Sequence, residues 1–272
     1  MIAETVSLVS PAVSTPRLRS LWPREHGAYG QLGLPLLTAL LLGRPTVAAL
    51  SLTVAFCAAF VAHESLLVVL GLRGGRAKRE AGDRATRWLV VLGAVAALGG
   101  AVGVALGGAG VGGSLGVSVA LGAALGPFIL RRKERTLGGE LLAVGALSST
   151  AVPVGLAAGA GVGAAVMAAG VWALGHGALT VVIRGVIAHA RGPSDAHLAL
   201  RALGVVWLFL AVVVAHGVGL GGGALVGGLA PLCGLSLALA VVRPPARYIK
   251  VVGWVSVLGG VLTTAVLVGA LR

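Results

Sequence analysis

The sequence predicts an all-α protein, a bundle of about nine transmembrane helices, and three observations support this fold class. Hydrophobic residues make up 57% of the 272 positions and charged residues only 11%, whereas soluble domains contain about 25% charged residues. Apolar stretches of membrane-spanning length recur from residue 21 to the C-terminus, each able to cross a hydrocarbon core of roughly 30 Å. Basic residues are concentrated between these stretches, as is typical of multi-pass membrane proteins.

Hydropathy and the polar links between apolar stretches set the predicted helix boundaries. The predicted spans, in chain order, are Leu21–Gly43, Thr46–Leu72, Trp88–Leu106, Val111–Leu130, Gly139–Ala158, Val162–Ile183, Leu198–Gly217, Gly221–Val242 and Val251–Leu271. The first sixteen residues contain no basic segment followed by an apolar one, so no cleaved signal peptide is expected, and residues 1–20 are predicted to be a flexible cytoplasmic tail. Residues 21–272 then form a single transmembrane domain. Cys57 and Cys233 both lie in apolar stretches and are interpreted as small apolar residues, not as a disulfide.

The distribution of charge predicts the orientation. Nineteen of the 21 Lys and Arg residues lie in or directly beside the N-terminal tail and the links that follow the second, fourth, sixth and eighth spans, and the exceptions are Arg44 and Arg272. Cytoplasmic loops of membrane proteins are rich in Lys and Arg, so this side is predicted to be the cytoplasm and the C-terminus to lie outside. The net charge of +13 therefore reflects membrane orientation, and no nucleic-acid partner is expected.

Two local patterns predict packing and surface contacts. Glycines recur at four-residue spacing, as in Gly99, Gly103 and Gly107, which favours close approach of helices in lipid. The link Arg73–Arg87 has oppositely charged residues at helical spacing and predicts a short basic helix. We interpret it first as a solvated loop that orients the protein, with a membrane-surface segment or a functional lid as alternatives. Anionic lipid attracts such a segment by about 1 kcal/mol per basic residue. The candidate contacts for an anionic headgroup or phosphate are Arg73, Arg76, Lys78 and Arg79.

A few ionisable and amide side chains interrupt the apolar spans and predict a polar cavity open to the cytoplasm. Ionisable groups in a span usually face the bundle interior and mark function. The candidate cavity residues are Glu25, His26, Gln31, His63, Glu64, His176 and Arg184. A helix rise of about 1.5 Å per residue places His63 and His176 roughly 12–13 Å from the cytoplasmic edge, with Gln31 near 15 Å. An isolated carboxylate is costly at that level, so Glu64 is expected to be protonated or paired with His176 or Arg184.

Spans two and six resemble each other around their histidines. The segment HESLLVVLGLRGG begins at His63 and HGALTVVIRGV begins at His176. Membrane proteins often place a site between structural repeats, and the possible halves here are residues 21–135 and 139–247, followed by a ninth helix, 251–271. Each histidine alternatively makes only an interhelical hydrogen bond, or the pair ligates a haem. We predict no cofactor and no metal site.

The N-terminal part of the first span carries a family resemblance. Trp22-Pro23-Arg24-Glu25-His26-Gly27-Ala28-Tyr29-Gly30, followed by Leu34-Pro35-Leu36-Leu37, resembles the signature of the YwiC-like family of bacterial membrane proteins. That signature is roughly P-x-E/Q-H-G-A-W/Y before a Pro-containing helix, and Tyr29 stands where Trp is common. The resemblance implies a bacterial cytoplasmic (inner) membrane protein but no particular activity.

A more distant resemblance is architectural. Nine spans with large cytoplasmic loops after the second and sixth look like the UbiA-type intramembrane prenyltransferases. Those enzymes hold a prenyl diphosphate through Mg²⁺ at Asp-rich motifs near these loops. Here the corresponding loops offer only Glu80 and Asp83, and then Asp195, whereas two Mg²⁺ ions need several clustered carboxylates. The resemblance implies the fold and not the metal chemistry.

Two functional hypotheses follow, and whether the protein is an enzyme stays open between them. The first is a carrier or accessory protein that uses the polar cavity for a proton-linked or small polar ligand. The alternative is a divergent UbiA-like transferase that acts on a prenyl diphosphate or other lipid-linked substrate. In it Arg73, Arg76, Lys78 and Arg184 replace the metal, and His63 or Glu64 acts as base. The expected partners are the lipid bilayer and an anionic lipid or isoprenoid.

Overall fold

In the computed structural model, the described residues are 21–22, 26–192, 204, 222–242, 245 and 248–272, and they form helices without any strand. Ten helices are described in this part of the chain: α1 (His26–Leu42), α2 (Val47–Val69), α3 (Gly75–Gly107), α4 (Ala109–Ala124), α5 (Gly126–Leu130), α6 (Leu137–Ser149), α7 (Ala151–Ala157), α8 (Val162–Arg191), α9 (Gly222–Val242) and α10 (Ile249–Leu271). The all-α class predicted from the sequence is confirmed.

Within the described residues, six segments have the length and hydropathy of a membrane span. They comprise α2, α3, α4 with α5, α6 with α7, most of α8, and Val251–Leu271 of α10, while Gly27–Leu42 and Val226–Val242 are apolar but shorter. The predicted seventh span, Leu198–Gly217, lies outside the described residues. A multi-pass membrane protein is therefore supported, and the count of nine spans stays a prediction.

Boundaries differ from the sequence prediction at the first and third spans, and α8 continues to Arg191 where the sixth span was predicted to end at Ile183. The first helix begins at His26, not Leu21, and is 17 residues long. The basic link Arg73–Arg87 is not a separate surface helix, because most of it is the start of the 33-residue helix α3. That helix is about 50 Å long and so extends some 20 Å beyond a hydrocarbon core of roughly 30 Å. Charged residues occupy this extension, where they remain hydrated.

Side-chain caps and glycines in the turns define the helix ends. Thr46 and Thr136 accept hydrogen bonds from the backbone N–H groups of Ala49 and Gly139 at the starts of α2 and α6. The chain leaves α2 through Gly71, which has φ of 74°. Its N–H donates to the Val68 carbonyl and that of Leu72 to the Leu67 carbonyl. This left-handed C-terminal cap strongly favours glycine, and it turns residue 73 back toward α2.

Helix α1 lies between the two main apolar clusters. Leu34 and Leu42 pack in a cluster with residues of α8, α9 and α10. Leu32 and Leu36 belong to a second cluster with residues of α2, α4 and α7. Most of the apolar window of α8 is also buried, whereas that of α3 is almost entirely exposed. The interior of the bundle is therefore built around α1 and α8, and α3 forms part of its periphery.

Close contacts fix the directions of neighbouring helices. A Cβ at Gly99 would lie 2.6 Å from the Ser51 carbonyl oxygen and one at Gly103 would meet Leu52. Because Val68, near the end of α2, clusters with Ala85, near the start of α3, the two helices run antiparallel. The predicted close approach at these glycines is confirmed. Leu34 faces Gly260 and Thr38 faces Thr264, so α1 and α10 run parallel.

Candidate functional site

Hydrogen bonds between neutral side chains join α1, α8 and α10 inside the bundle. The Trp172 indole N–H donates to the Thr38 hydroxyl at 3.1 Å, and that hydroxyl lies 2.8 Å from the Leu34 carbonyl. The Thr264 hydroxyl is 3.1 Å from the Thr38 hydroxyl. Since Thr38 has one proton, which goes to Leu34, Thr264 is the donor in the last contact. All the hydrogen-bonding capacity of Thr38 is thereby used.

A second polar contact lies further along the same pair of helices. The Gln31 amide nitrogen is 3.4 Å from the Thr180 hydroxyl. Together with the Trp172–Thr38 bond, this contact sets α1 and α8 antiparallel and brings the two polar positions of each helix face to face. Together with His176, described next, these residues form what we call the polar layer: Gln31, Thr38, Trp172, His176, Thr180 and Thr264.

His176 lies between Trp172 and Thr180 on the face of α8 that meets α1, because it is one helical turn from each. It is 5% exposed, and its ring centroid is 4.9 Å from that of Trp172. Nδ1 of His176 has no hydrogen-bond partner among the described residues. A buried nitrogen without a partner is costly, so this group differs from the satisfied hydroxyls around it.

The helix opposite His176 also lacks a backbone hydrogen bond. The register set by the two α1–α8 contacts places His176 level with Leu34 and Pro35. Pro35 is buried within α1 and has no N–H, so the Gln31 carbonyl receives no bond from the position that would normally donate to it. A backbone acceptor and an imidazole nitrogen, each without its usual partner, therefore lie at similar levels.

Glu64 forms an ion pair away from the polar layer. Its carboxylate accepts from Nε of Arg73 at 3.0 Å and from Nη2 at 2.5 Å, a bidentate geometry. The Glu64 side chain is 3% exposed and that of Arg73 is 26% exposed. The expectation that Glu64 pairs with His176 or Arg184 is wrong. The turn at Gly71 instead places the Arg73 guanidinium within hydrogen-bonding distance of Glu64.

The depth of Glu64 also differs from the sequence prediction. The register of α2 and α3, with Leu52 beside Gly103 and Val68 clustered with Ala85, places Glu64 near residue 90 of α3. It therefore lies only about 3 Å deeper than Trp88, where the predicted third span begins. His176, eight residues before Arg184, remains about 12 Å deeper than that arginine.

Arg184 is also held by a carboxylate. Its guanidinium is 2.7 Å from Glu140 of α6 and donates to the Arg135 carbonyl at 2.8 Å. The side chains of Arg184 and Glu140 are each about one-third exposed. This contact links the ends of α6 and α8 that the charge distribution assigns to the cytoplasm.

The remaining predicted residues are dispersed. His63 is half-buried on α2. Arg76 pairs with Glu80 at 2.6 Å on the exposed start of α3, where Lys78 and Arg79 are also exposed. Glu25 lies outside the described residues, and His26 is described only as the first residue of α1. The structure thus brings together Gln31 and His176 of the candidate cavity, and places Glu64 and Arg184 in separate ion pairs.

As far as the chain is described, the polar layer contains no metal cluster and no Asp, Glu, Lys or Arg side chain. No group of three or more His, Cys, Asp or Glu side chains suited to a metal lies in that part of the chain. The sequence analysis missed Thr38, Trp172, Thr180 and Thr264, because hydroxyls are common in apolar helices. The indole N–H of Trp172 is a usable signal, since a buried Trp usually has an acceptor.

Membrane-length apolar helices around a buried polar layer define an all-helical, multi-pass membrane protein. Residues 22–155 match the family model of YwiC-like protein, which confirms the resemblance carried by the Trp22–Gly30 motif. No curated protein and no solved structure matches the chain significantly. The UbiA-type resemblance accordingly stays a prediction.

Proposed function

We propose that this protein is a nine-span bacterial inner-membrane carrier or accessory protein whose polar layer binds a small polar or proton-linked ligand from the cytoplasmic side. The observation that carries this proposal is His176, which is 5% exposed with Nδ1 lacking a partner in the described chain. A titratable group in the interior of a membrane bundle is expensive and usually functional. The described groups nearest to it in register, Trp172, Thr180, Gln31 and Thr38, are neutral.

Helix directions support the proposed nine spans. Gly175 faces Leu232 and Val171 lies near Gly228, so α8 and α9 run parallel. Consecutive parallel spans require a further crossing between them, and the sequence between α8 and α9 contains the apolar stretch Leu198–Gly217. We propose one crossing there, which would make the total nine.

The transferase alternative receives less support. It requires Arg73 and Arg184 to hold a diphosphate, and each guanidinium already binds a carboxylate, Glu64 and Glu140 respectively. Releasing either arginine would leave a carboxylate without its partner, which is costly in a partly buried site. We therefore propose the carrier or accessory role and not the transferase.

Proton flux tests the proton-linked form of this role. Full-length protein is reconstituted in liposomes that contain a pH-sensitive dye, and acid is added outside. We expect faster internal acidification than in empty liposomes, and His176→Leu should slow the protein-dependent rate at least tenfold because Leu cannot carry a proton.

Ser236→Ala is the matched control, because it removes a buried hydroxyl that also lacks a partner in the described chain and cannot titrate. It should leave the rate unchanged. Equal rates for wild-type and empty liposomes, or an unchanged rate for His176→Leu, would reject proton-linked transport through His176.

A further inference from the structure

One side of α8 carries a polar or amphipathic residue at every turn, from the end that the charge distribution assigns to the cytoplasm into the bundle interior. These residues follow one another at four-residue spacing, which places them along one side of the helix: Arg184, Thr180, His176 and Trp172. We call them the polar stripe, and a rise of about 1.5 Å per residue makes it roughly 18 Å long. Exposure falls inward along it, because the Arg184 side chain is 34% exposed, Thr180 is half-buried, and His176 and Trp172 are 5% and 0% exposed.

Two contacts with neighbouring helices close the outer turns of the polar stripe. Arg184 forms its ion pair with Glu140 of α6, and about 6 Å deeper Thr180 meets the Gln31 amide of α1 at 3.4 Å. The second contact is long for a hydrogen bond between nitrogen and oxygen and is therefore weak. His176, one turn further in, has the Nδ1 atom without a partner among the described residues. A free hydrogen-bonding atom thus lies behind two contacts that can open.

The polar stripe stops at Trp172. One turn further along α8, Ala168 is 0% exposed and belongs to the same apolar cluster as Val171 and Leu229. On α1, Ala39 follows Thr38 and lies in the second apolar cluster. The part of the α1–α8 contact beyond Trp172 is therefore closely packed and apolar, and a polar species finds hydrogen-bonding groups only when it approaches from the Arg184 end.

The charge along the polar stripe limits what can move there. The sequence between Trp172 and Arg184 contains no Asp, Glu, Lys or Arg, and the contact from α1 is the neutral amide of Gln31. At the entrance, the charges of Arg184 and Glu140 compensate each other. An ion would lose its hydration without meeting an opposite charge, which is costly inside a bundle. Water, or a small neutral molecule with similar hydrogen bonds, does not have this cost.

We propose that water, or a small neutral molecule that hydrogen-bonds as water does, reaches His176 from the cytoplasm along the polar stripe, and that the Arg184–Glu140 pair is the gate at its entrance. The proposal rests on the proposed function, because it names the species that reaches the His176 site. An ion pair that is one-third exposed is weak, so the gate opens and closes at little cost.

Thiol reactivity along α8 tests the route. In full-length protein with Cys57→Ala and Cys233→Ala, one cysteine is introduced, and each variant in nanodiscs is treated with neutral methyl methanethiosulfonate. The thiolate is the reacting form, and it forms only where water reaches the sulfur. We expect Thr180→Cys to react and Ala168→Cys, beyond the polar stripe, to remain unmodified. Ala178→Cys is a second control, since Ala178 lies near the depth of Thr180 but is 0% exposed on another side of α8. Rates for both controls equal to that of Thr180→Cys would overturn the route.

The gate is tested on the Thr180→Cys protein. Glu140→Gln should raise the rate of modification about two- to fivefold, the effect expected for an ion pair of this exposure. The exchange Glu140→Arg/Arg184→Glu re-forms the pair and should restore the slow rate. Glu80→Gln breaks the exposed Arg76–Glu80 pair of α3 and should change nothing. If Glu140→Gln fails to fold, Arg184→Gln opens the same pair and should raise the rate similarly. An unchanged rate after loss of the pair would overturn the gate.

The route and the proposed function fail separately, because thiol reactivity requires neither a ligand nor proton flux. A reactive Thr180→Cys that responds to Glu140→Gln, together with proton flux unaffected by His176→Leu, would retain the route and remove the role of His176. Loss of flux in His176→Leu, together with an unreactive Thr180→Cys, would retain the proposed function and overturn the route.

Discussion

Glu64 and His176 represent two different ways of accommodating a polar residue in an apolar bundle. Glu64 is 3% exposed but has a bidentate partner in Arg73, whose guanidinium remains 26% exposed. His176 is nearly as buried, and its Nδ1 lacks a partner within the described residues. The first arrangement compensates the desolvated charge locally. The second leaves hydrogen-bonding capacity free, which is why the proposed function rests on His176.

The Glu64–Arg73 pair should respond unequally to removal of its two members. Arg73→Gln leaves a carboxylate with almost no exposure, and we expect a loss of about 2–3 kcal/mol in unfolding free energy, below the 3–5 kcal/mol of fully buried pairs. Glu64→Gln leaves a guanidinium that already reaches solvent, so its loss should be about half as large. Thermal unfolding in detergent, followed by Trp fluorescence, measures both.

The double variant Glu64→Gln/Arg73→Gln is the control for this pair. It removes both charges and should be more stable than Arg73→Gln alone, because no unpaired charge remains. Equal melting temperatures for the two single variants would show that the burial difference between the partners has no energetic consequence.

At the scale of helices, the packing of α2 on α3 depends on glycines that allow close backbone approach. A Cβ at Gly99 would lie 2.6 Å from the Ser51 carbonyl oxygen and 3.1 Å from the Ala55 side chain. The nearer atom belongs to the backbone and cannot rotate away. In lipid, helix association depends strongly on such packing, because lipid tails are as apolar as the side chains.

Gly99→Ala should therefore destabilise the protein by about 1–3 kcal/mol, the usual cost of overpacking. Gly93→Ala in the same helix is the matched control, since nothing lies within 4 Å of its Cβ position. Ala is favoured over Gly in a helix by about 0.8–1.0 kcal/mol, so this control should be neutral or stabilising. Thermal unfolding of both variants in one detergent decides the point. A loss of similar size in both would mean that the contact at Ser51 is unimportant.

Sequence reasoning succeeded for helices where hydropathy alone determines the element. The boundaries of α2, α8 and α10 lie within a few residues of the prediction at most of their ends, because apolar length is read directly from composition. It failed for α3, whose basic start looked like a separate helix. Ala81 and Ala85 pack against Val68, and this packing stabilises the basic segment as part of α3. The charge pattern of the segment does not predict such tertiary packing.

The candidate site was predicted only in part for a related reason. Polarity identified Gln31 and His176, but matched depth did not identify partners. Glu64 pairs nine residues along the chain because of the positive φ at Gly71, and Arg184 pairs with Glu140 from another helix. Partner choice depends on turn geometry and on which helices are neighbours, and neither is readable from one sequence.

At the scale of the whole molecule, the α1–α2 turn, the α7–α8 turn and the C-terminus meet at one end of the bundle. The Arg44 N–H donates to the Ala158 carbonyl at 2.8 Å, and the Thr46 hydroxyl donates to the Ala157 carbonyl at 2.7 Å. The terminal Arg272 donates to the Gly43 carbonyl at 3.4 Å. The C-terminus therefore lies at the same end as the α1–α2 turn, opposite the start of α1, and we predict an odd number of crossings from this arrangement.

Labelling of single cysteines with a membrane-impermeant maleimide tests this topology. Cys57 and Cys233 are replaced by Ala, and one cysteine is introduced at Pro45, Lys133 or Arg272. If the N-terminus is cytoplasmic and the chain crosses nine times, Pro45→Cys and Arg272→Cys react in intact cells. Lys133→Cys, in a link rich in basic residues, then reacts only after permeabilisation.

Each alternative topology gives a different labelling pattern. Labelling of Lys133→Cys alone in intact cells would reverse the orientation while leaving the helix count intact. Labelling of Arg272→Cys together with Lys133→Cys, and not with Pro45→Cys, would require an even number of crossings. It would contradict the Arg272–Gly43 contact and the parallel packing of α1 with α10. The pattern thus separates orientation, which depends on charge, from span number, which depends on helix packing.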